Sequence, residues 1–254
     1  MTPVTVASRL ARSRMIERRS YAIGAALIAA GAFHLGVFLI LGGPWEGPVS
    51  WRKPATFGLS FGLTLITVTV VSSWLTLGPR ARAWLLGVFA ADCIVEVAGI
   101  TVQAWRHVPS HFNTVTPFDR VIAMSLAVGG AVLIGVLGTL AVVAFRGRIQ
   151  AAPDLKLAVQ AGFALLMLGL ATGVAMIAKG EVLINTGHRQ AAYETAGSLK
   201  AVHVVTLHAI VVLPALALVL TRLGWSQERR TQAMLVAIAC YLLATVAALA
   251  VALV

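Results

Sequence analysis

The residues of this sequence that could do chemistry are ionisable side chains set inside apolar runs. The stretch Gly197–Leu220, GSLKAVHVVTLHAIVVLPALALVL, places Lys200, His203 and His208 in a segment apolar enough to cross a bilayer, and His34, Asp92 and Glu96 lie in two further runs of that kind. Charged groups at such depth are costly to desolvate, and they mark proton paths or ligand sites. At a rise of about 1.5 Å per residue, His34, Glu96 and His208 each lie about eight residues, roughly 12 Å, inside the same face of the membrane. Gln103, seven residues after Glu96, shares its helical face, as Lys200 does with His203. The expected arrangement is a polar shaft with a His/Glu floor, which Asp92, one turn below Glu96, would extend. Glu96 is then the catalytic acid, and His34, His203 and His208 tune or reload it. The same four residues, His34, Glu96, His203 and His208, are alternatively the ligands of a divalent metal, zinc, copper or iron. His203 and His208, five apart, point about 140° from each other and serve one metal only on a distorted helix. Pro214 lacks an N–H, frees the Ile210 carbonyl and is expected to kink the helix.

The connecting segments supply the expected substrate-binding residues. In PWEGPVSWRKP, Arg52 and Lys53 suit an anionic head group. Trp51, Trp105 and Phe112 are expected to line or cover the entrance, where aromatic faces stabilise cations. Gln103 and Lys200 lie at the mouth, and His107, His111 and Asn113 in HVPSHFNTVTPFD form a lid over it. There is no HExxH zinc-hydrolase motif and no GKS/T phosphate loop.

These residues need a scaffold, and composition names it. Of 254 residues, 59% are hydrophobic and 11% charged, and the mean hydropathy is +0.90. That is the composition of a polytopic membrane protein, all-α, rather than a soluble domain. After a basic segment, 1–20, a single domain over 21–254 contains seven apolar segments of spanning length, near 21–42, 57–77, 84–104, 120–145, 156–178, 200–222 and 231–254. The net charge of +11 is distributed by topology, not as a nucleic-acid surface. Thirteen of the 20 basic residues, among them Arg80, Arg82, Arg146, Arg148, Arg229 and Arg230, fall at one set of segment ends. The positive-inside rule puts that set and the N-terminus in the cytoplasm and the C-terminus outside, in a cell inner membrane, with the site on the outer side.

Gly58 with Gly62 and Gly169 with Gly173, four apart, mark faces where helices approach closely, and Ala131 with Gly135 is a weaker case. Cys93 and Cys240 are expected to be small buried packing residues.

Trp51–Phe57 (WRKPATF), Gln103 with Ser110–Asn113 (SHFN) and Thr116–Asp119 (TPFD), and Gly197–Pro214 carry a resemblance. Across about residues 30–215 the chain resembles an uncharacterised bacterial family of seven-helix integral membrane proteins. In relatives the last stretch is similar to GDLRxAHxxGLHAxxxLP; here Ser198 stands for the acid and Lys200 for the arginine, so an Asp–Arg pair at the mouth is lost. In size and layout the chain also resembles small integral-membrane terpene cyclases. The leading expectation is therefore an enzyme with a pocket open to the outer leaflet, performing acid–base chemistry on a lipid-like or isoprenoid substrate, such as protonation-initiated cyclisation or rearrangement, with no cofactor required. A metal-dependent hydrolase or oxidoreductase, and a proton-coupled transporter, are the alternatives, although the halves show no repeat of the kind transporters carry.

Overall fold

In hydrocarbon every backbone N–H and C=O must be satisfied within the chain, so apolar runs of this length fold as helices. The computed structural model describes residues 14–253. It contains α1 (Met15–Leu41), α2 (Arg52–Ser72), α3 (Pro79–Trp105), α4 (Pro117–Phe145), α5 (Pro153–Asn185), the short α6 (Arg189–Thr195), a 3-10 turn (Ala196–Leu199), α7 (Lys200–Arg222) and α8 (Gln227–Leu253). Among the described residues seven helices, α1 to α5, α7 and α8, are long and apolar enough to cross a membrane. The chain is a seven-helix bundle of a multi-pass membrane protein.

The segment bounds differ from expectation for identifiable reasons. Pro79, Pro117 and Pro153 occupy the first helical turn of α3, α4 and α5, where the missing N–H costs nothing and the fixed φ suits the helix. Those helices accordingly start ahead of their apolar runs. Helix α2 starts at Arg52 rather than near 57, so WRKPATF is its opening turns, with Pro54 tolerated there. Helix α5 continues to Asn185, and α7 runs through Pro214 as one element. Of the basic segment 1–20, residues 1–13 lie outside the described residues, and Arg18 and Arg19 belong to α1.

Two glycine seams set how the helices face each other. A Cβ on Gly58 would lie 2.7 Å from the Gly31 backbone, and one on Gly62 2.5 Å from Gly24 O, so α1 and α2 meet backbone to backbone. A Cβ on Gly169 would lie 2.7 Å from Thr206 Oγ1, and one on Gly173 2.9 Å from the His203 ring, which joins α5 to α7. Gly135, by contrast, faces open space. Cys93 is buried in the core, but Cys240 is exposed, because α8 packs at the edge of the bundle; Tyr241 Oη donates to Val205 O at 2.7 Å to hold it there.

At the basic end, Arg82 pairs with Glu17 at 3.8 Å and donates to the carbonyls of Ser72 and Leu75. Arg230 pairs with Asp154 at 3.3 Å. Two connections also join through an isolated antiparallel bridge, Leu75 with Ile149: Thr76 N donates to Arg148 O and Gln150 N to Trp74 O, both at 2.8 Å.

Candidate functional site

Asp92 and Glu96 are one helical turn apart on α3 and both are buried, 8% and 4% exposed. They face Gly129 of α4. A Cβ there would collide with Glu96 Oε1 and lie 2.8 Å from Asp92 Oδ1, so both carboxyls occupy one small space that only glycine leaves open. Asp92 Oδ2 is buried with no hydrogen-bond partner, and no ion pair among the described residues involves either carboxyl. Buried polar groups are nearly always satisfied, so an unpartnered carboxyl pair within the membrane is a functional candidate.

Asp92, the outer member of the pair, opens sideways onto a groove of about 610 Å³ between α3 and α4, with Glu96 behind it. Val95, Met124 and Val128 are among its apolar walls, Asp92 and Gly129 lie on its floor, and Arg120 stands at the end near the long 106–116 connection. From Arg120 to the Gly129 level is about 13 Å along α4. The layout has room for an extended apolar chain with an anionic head: the head against Arg120, the chain along the valines, and a carbon of the chain over Asp92.

The expected convergence of His34, Glu96 and His208 does not occur. His34 Nδ1 donates to Ala30 O at 2.7 Å, and its Nε2 accepts from Trp105 Nε1 at 3.1 Å. Its ring is packed with those of Trp51 and Trp105. Trp51 is thus the centre of an aromatic cluster that also touches His107, rather than an entrance residue. His208 Nδ1 donates to Val204 O within its own helix at 2.7 Å. His203 Nδ1 donates to Gly169 O at 2.7 Å across the α5–α7 seam. Among the described residues no group of three or more His, Cys, Asp or Glu side chains gathers to hold a metal ion, so the four-residue metal set is not assembled.

No protein-family model, curated protein or solved structure matches this chain.

Gln103 is also reassigned. It is fully buried and donates Nε2 to Asp119 Oδ1 at 2.9 Å, while its Oε1 accepts from Arg106. Arg106 pairs in turn with Asp119, and Thr116 Oγ1 donates to Asp119 Oδ2 at 2.6 Å while accepting from its N–H. TPFD is therefore a capped helix start tied to the end of α3, and Gln103 is part of that tie rather than of an open mouth.

The 106–116 connection does fold over this end of the bundle. Ser110 and Asn113 are buried, and His111 lies against Phe57 with Ser110 Oγ at 3.0 Å from its Nδ1. Burial, reinforced by the Lys53 charge, lowers the His111 pKa from 6.5 to about 4. Phe112, held at φ +61, presses its ring onto α5 where Gly180 leaves room. Lys53 donates to Pro48 O, and Lys200 pairs with Glu46.

Depth and the spacing of four between Asp92 and Glu96 point to both acids from the sequence; Gly129 on α4, which leaves them their space, depends on how the two helices are rotated and is evident only in the structure.

Proposed function

We propose that this protein is an integral membrane enzyme in which Asp92 and Glu96 carry acid–base chemistry on a lipid-like, isoprenoid-type chain held in the α3–α4 groove. The observation that supports this reading is a buried carboxyl pair against Gly129 of which Asp92, with an unpartnered oxygen, lies at the floor of an apolar groove with one cation, Arg120, at its end. Two carboxyls confined together without a cation share one proton rather than both ionising. One is then an acid and the other a base.

In the step proposed, Glu96 passes its proton to Asp92, the carboxyl at the groove, which gives it to an alkene carbon; the π pair forms the C–H bond and leaves a carbocation and the Asp92 carboxylate. Asp92, as carboxylate, removes a proton from a carbon beside the cation, and that C–H pair becomes a new π bond. Rearrangement or ring closure intervenes between the two transfers. One proton enters the substrate and one leaves, so no oxidant, reductant or cofactor is consumed. The proton then returns from Asp92 to Glu96. Arg120 takes no part in proton transfer and positions the head group. In this reading the basic end of the bundle faces the cytoplasm and the Arg120 end the outer leaflet.

The test is incubation of the full-length protein in lipid nanodiscs with isoprenoid lipids in D2O, followed by mass spectrometry of the extracted lipids. Deuterium at carbon is expected with the wild type, and with neither Glu96→Gln nor Asp92→Asn. Incorporation that is absent in the wild type across isoprenoid lipids, or unchanged in both variants, would overturn the assignment.

A further inference from the structure

A second site lies at the other side of the long-loop end. Glu46 is held by two cations through one oxygen: its Oε2 is 3.3 Å from Arg52 Nη2 and 3.8 Å from Lys200 Nζ. These are the first residues of α2 and α7, so the carboxylate bridges two helices. Lys53, beside Arg52, is within electrostatic reach of both Arg52 and Lys200. Two cations therefore hold this carboxylate, and a third, Lys53, stands close to both of them.

Two of the cations are fixed by contacts other than Glu46. Arg52 Nε donates to Trp45 O at 3.0 Å and Lys53 Nζ to Pro48 O at 2.8 Å, which sets both heads in place through the 43–51 connection. Glu46 is only loosely retained, with a side chain 69% exposed, and Lys200 is 56% exposed. Next to Lys53, Ser50 Oγ is buried without a hydrogen-bond partner and lines a small cavity with Ser110. The site thus has more positive charge and more donor capacity than one carboxylate oxygen uses.

The geometry points to an anion-binding site formed by Arg52, Lys53 and Lys200 that takes a phosphate-type group and that Glu46 fills as an internal surrogate. A phosphate offers several acceptor oxygens and more charge than a carboxylate, and a guanidinium matches it in two-pronged fashion. The group is carried either by a lipid head at the interface or by a soluble phosphate ester. Its position, apart from the α3–α4 groove, makes this assignment independent of the acid–base reading.

The experiment is thermal unfolding of the full-length protein in phosphatidylcholine nanodiscs, titrated with inorganic phosphate at constant ionic strength, and repeated in nanodiscs containing phosphatidylglycerol. Phosphate is expected to raise the midpoint of the wild type. Glu46→Gln, which removes the competing carboxylate, is expected to reach half-saturation at several-fold lower phosphate. Arg52→Gln and Lys200→Gln are expected to abolish the shift. The same variant pattern seen only with phosphatidylglycerol assigns the site to a lipid head group, which also supports the site. No shift with either probe, or a shift unchanged in Arg52→Gln and Lys200→Gln, overturns it. Because the Glu46 and Lys200 side chains are largely exposed, those two variants keep the fold, and their midpoints without phosphate verify it.

Discussion

Trp105 donates its indole N–H to His34 Nε2 at 3.1 Å, while the opposite ring nitrogen of His34 donates to Ala30 O. Both nitrogens are engaged, and the histidine is a fixed joint between α1 and α3. His34→Leu leaves the Trp105 N–H without its partner and is expected to cost about 1–3 kcal/mol of stability. Deuterium incorporation per folded molecule should stay at the wild-type level, measured alongside the unfolding midpoint.

Gly129→Ala tests the carboxyl site without touching either acid. The added Cβ meets Glu96 Oε1 and Asp92 Oδ1 and must push the two carboxyls apart. Incorporation of deuterium is expected to fall by at least about tenfold, the equivalent of roughly 1.4 kcal/mol in the barrier, with a folded protein by circular dichroism.

Gln103 should behave as a strut. Gln103→Ala removes the bond to Asp119 and frees Arg106 from one acceptor, and a loss of about 1–2 kcal/mol is expected in unfolding. Binding of isoprenoid lipid in the groove should be unchanged.

The 106–116 connection carries a pH dependence. His111 has its pKa lowered to about 4 from 6.5, so the unfolded segment binds protons that the folded one refuses. The contribution of the neutral ring is fully present above about pH 6.5 and is lost as the pH falls towards 4. The protection factors of residues 106–116, that is, exchange corrected for its intrinsic slowing in acid, should fall over that window in the wild type and not in His111→Gln.

Orientation is tested by labelling single cysteines in a background with Cys93 and Cys240 replaced. A cysteine at His188 should react with an impermeant reagent added outside intact cells, and one at Arg148 should not. The reverse pattern would turn the groove mouth to the cytoplasm.

Hydrophobicity revealed the seven segments because each must bury an apolar surface over its whole length, and a spacing of four put Asp92 and Glu96 on one face. Depth, however, fixes only one coordinate of a side chain. The other is rotation about the helix axis, and seams of small residues set it. On α7, Thr206 lies against Gly169 and His203 against Gly173. His208, two residues past Thr206, is turned about 200° from it and cannot follow it into that seam. On α1, Gly31 faces α2 and carries His34, one turn on, towards Trp51. The glycines were visible in the sequence, but which helix each pair would meet was not. The Arg106–Asp119 tie was hidden for a related reason, since it depends on how the irregular 106–116 segment turns at His107, held at φ +54.

The short bridge between Leu75 and Ile149 bears on how the chain is made. Thr76 and Trp74, in the second connection, are bonded to Arg148 and Gln150 in the fourth. A ribosome must release residue 150 before the hairpin of α2 and α3 can acquire those two backbone bonds, and an intermediate halted after α4 has yet to give the Thr76 N–H its Arg148 acceptor. Insertion of the first four helices is in this sense provisional, and the arrival of the α4–α5 turn latches them.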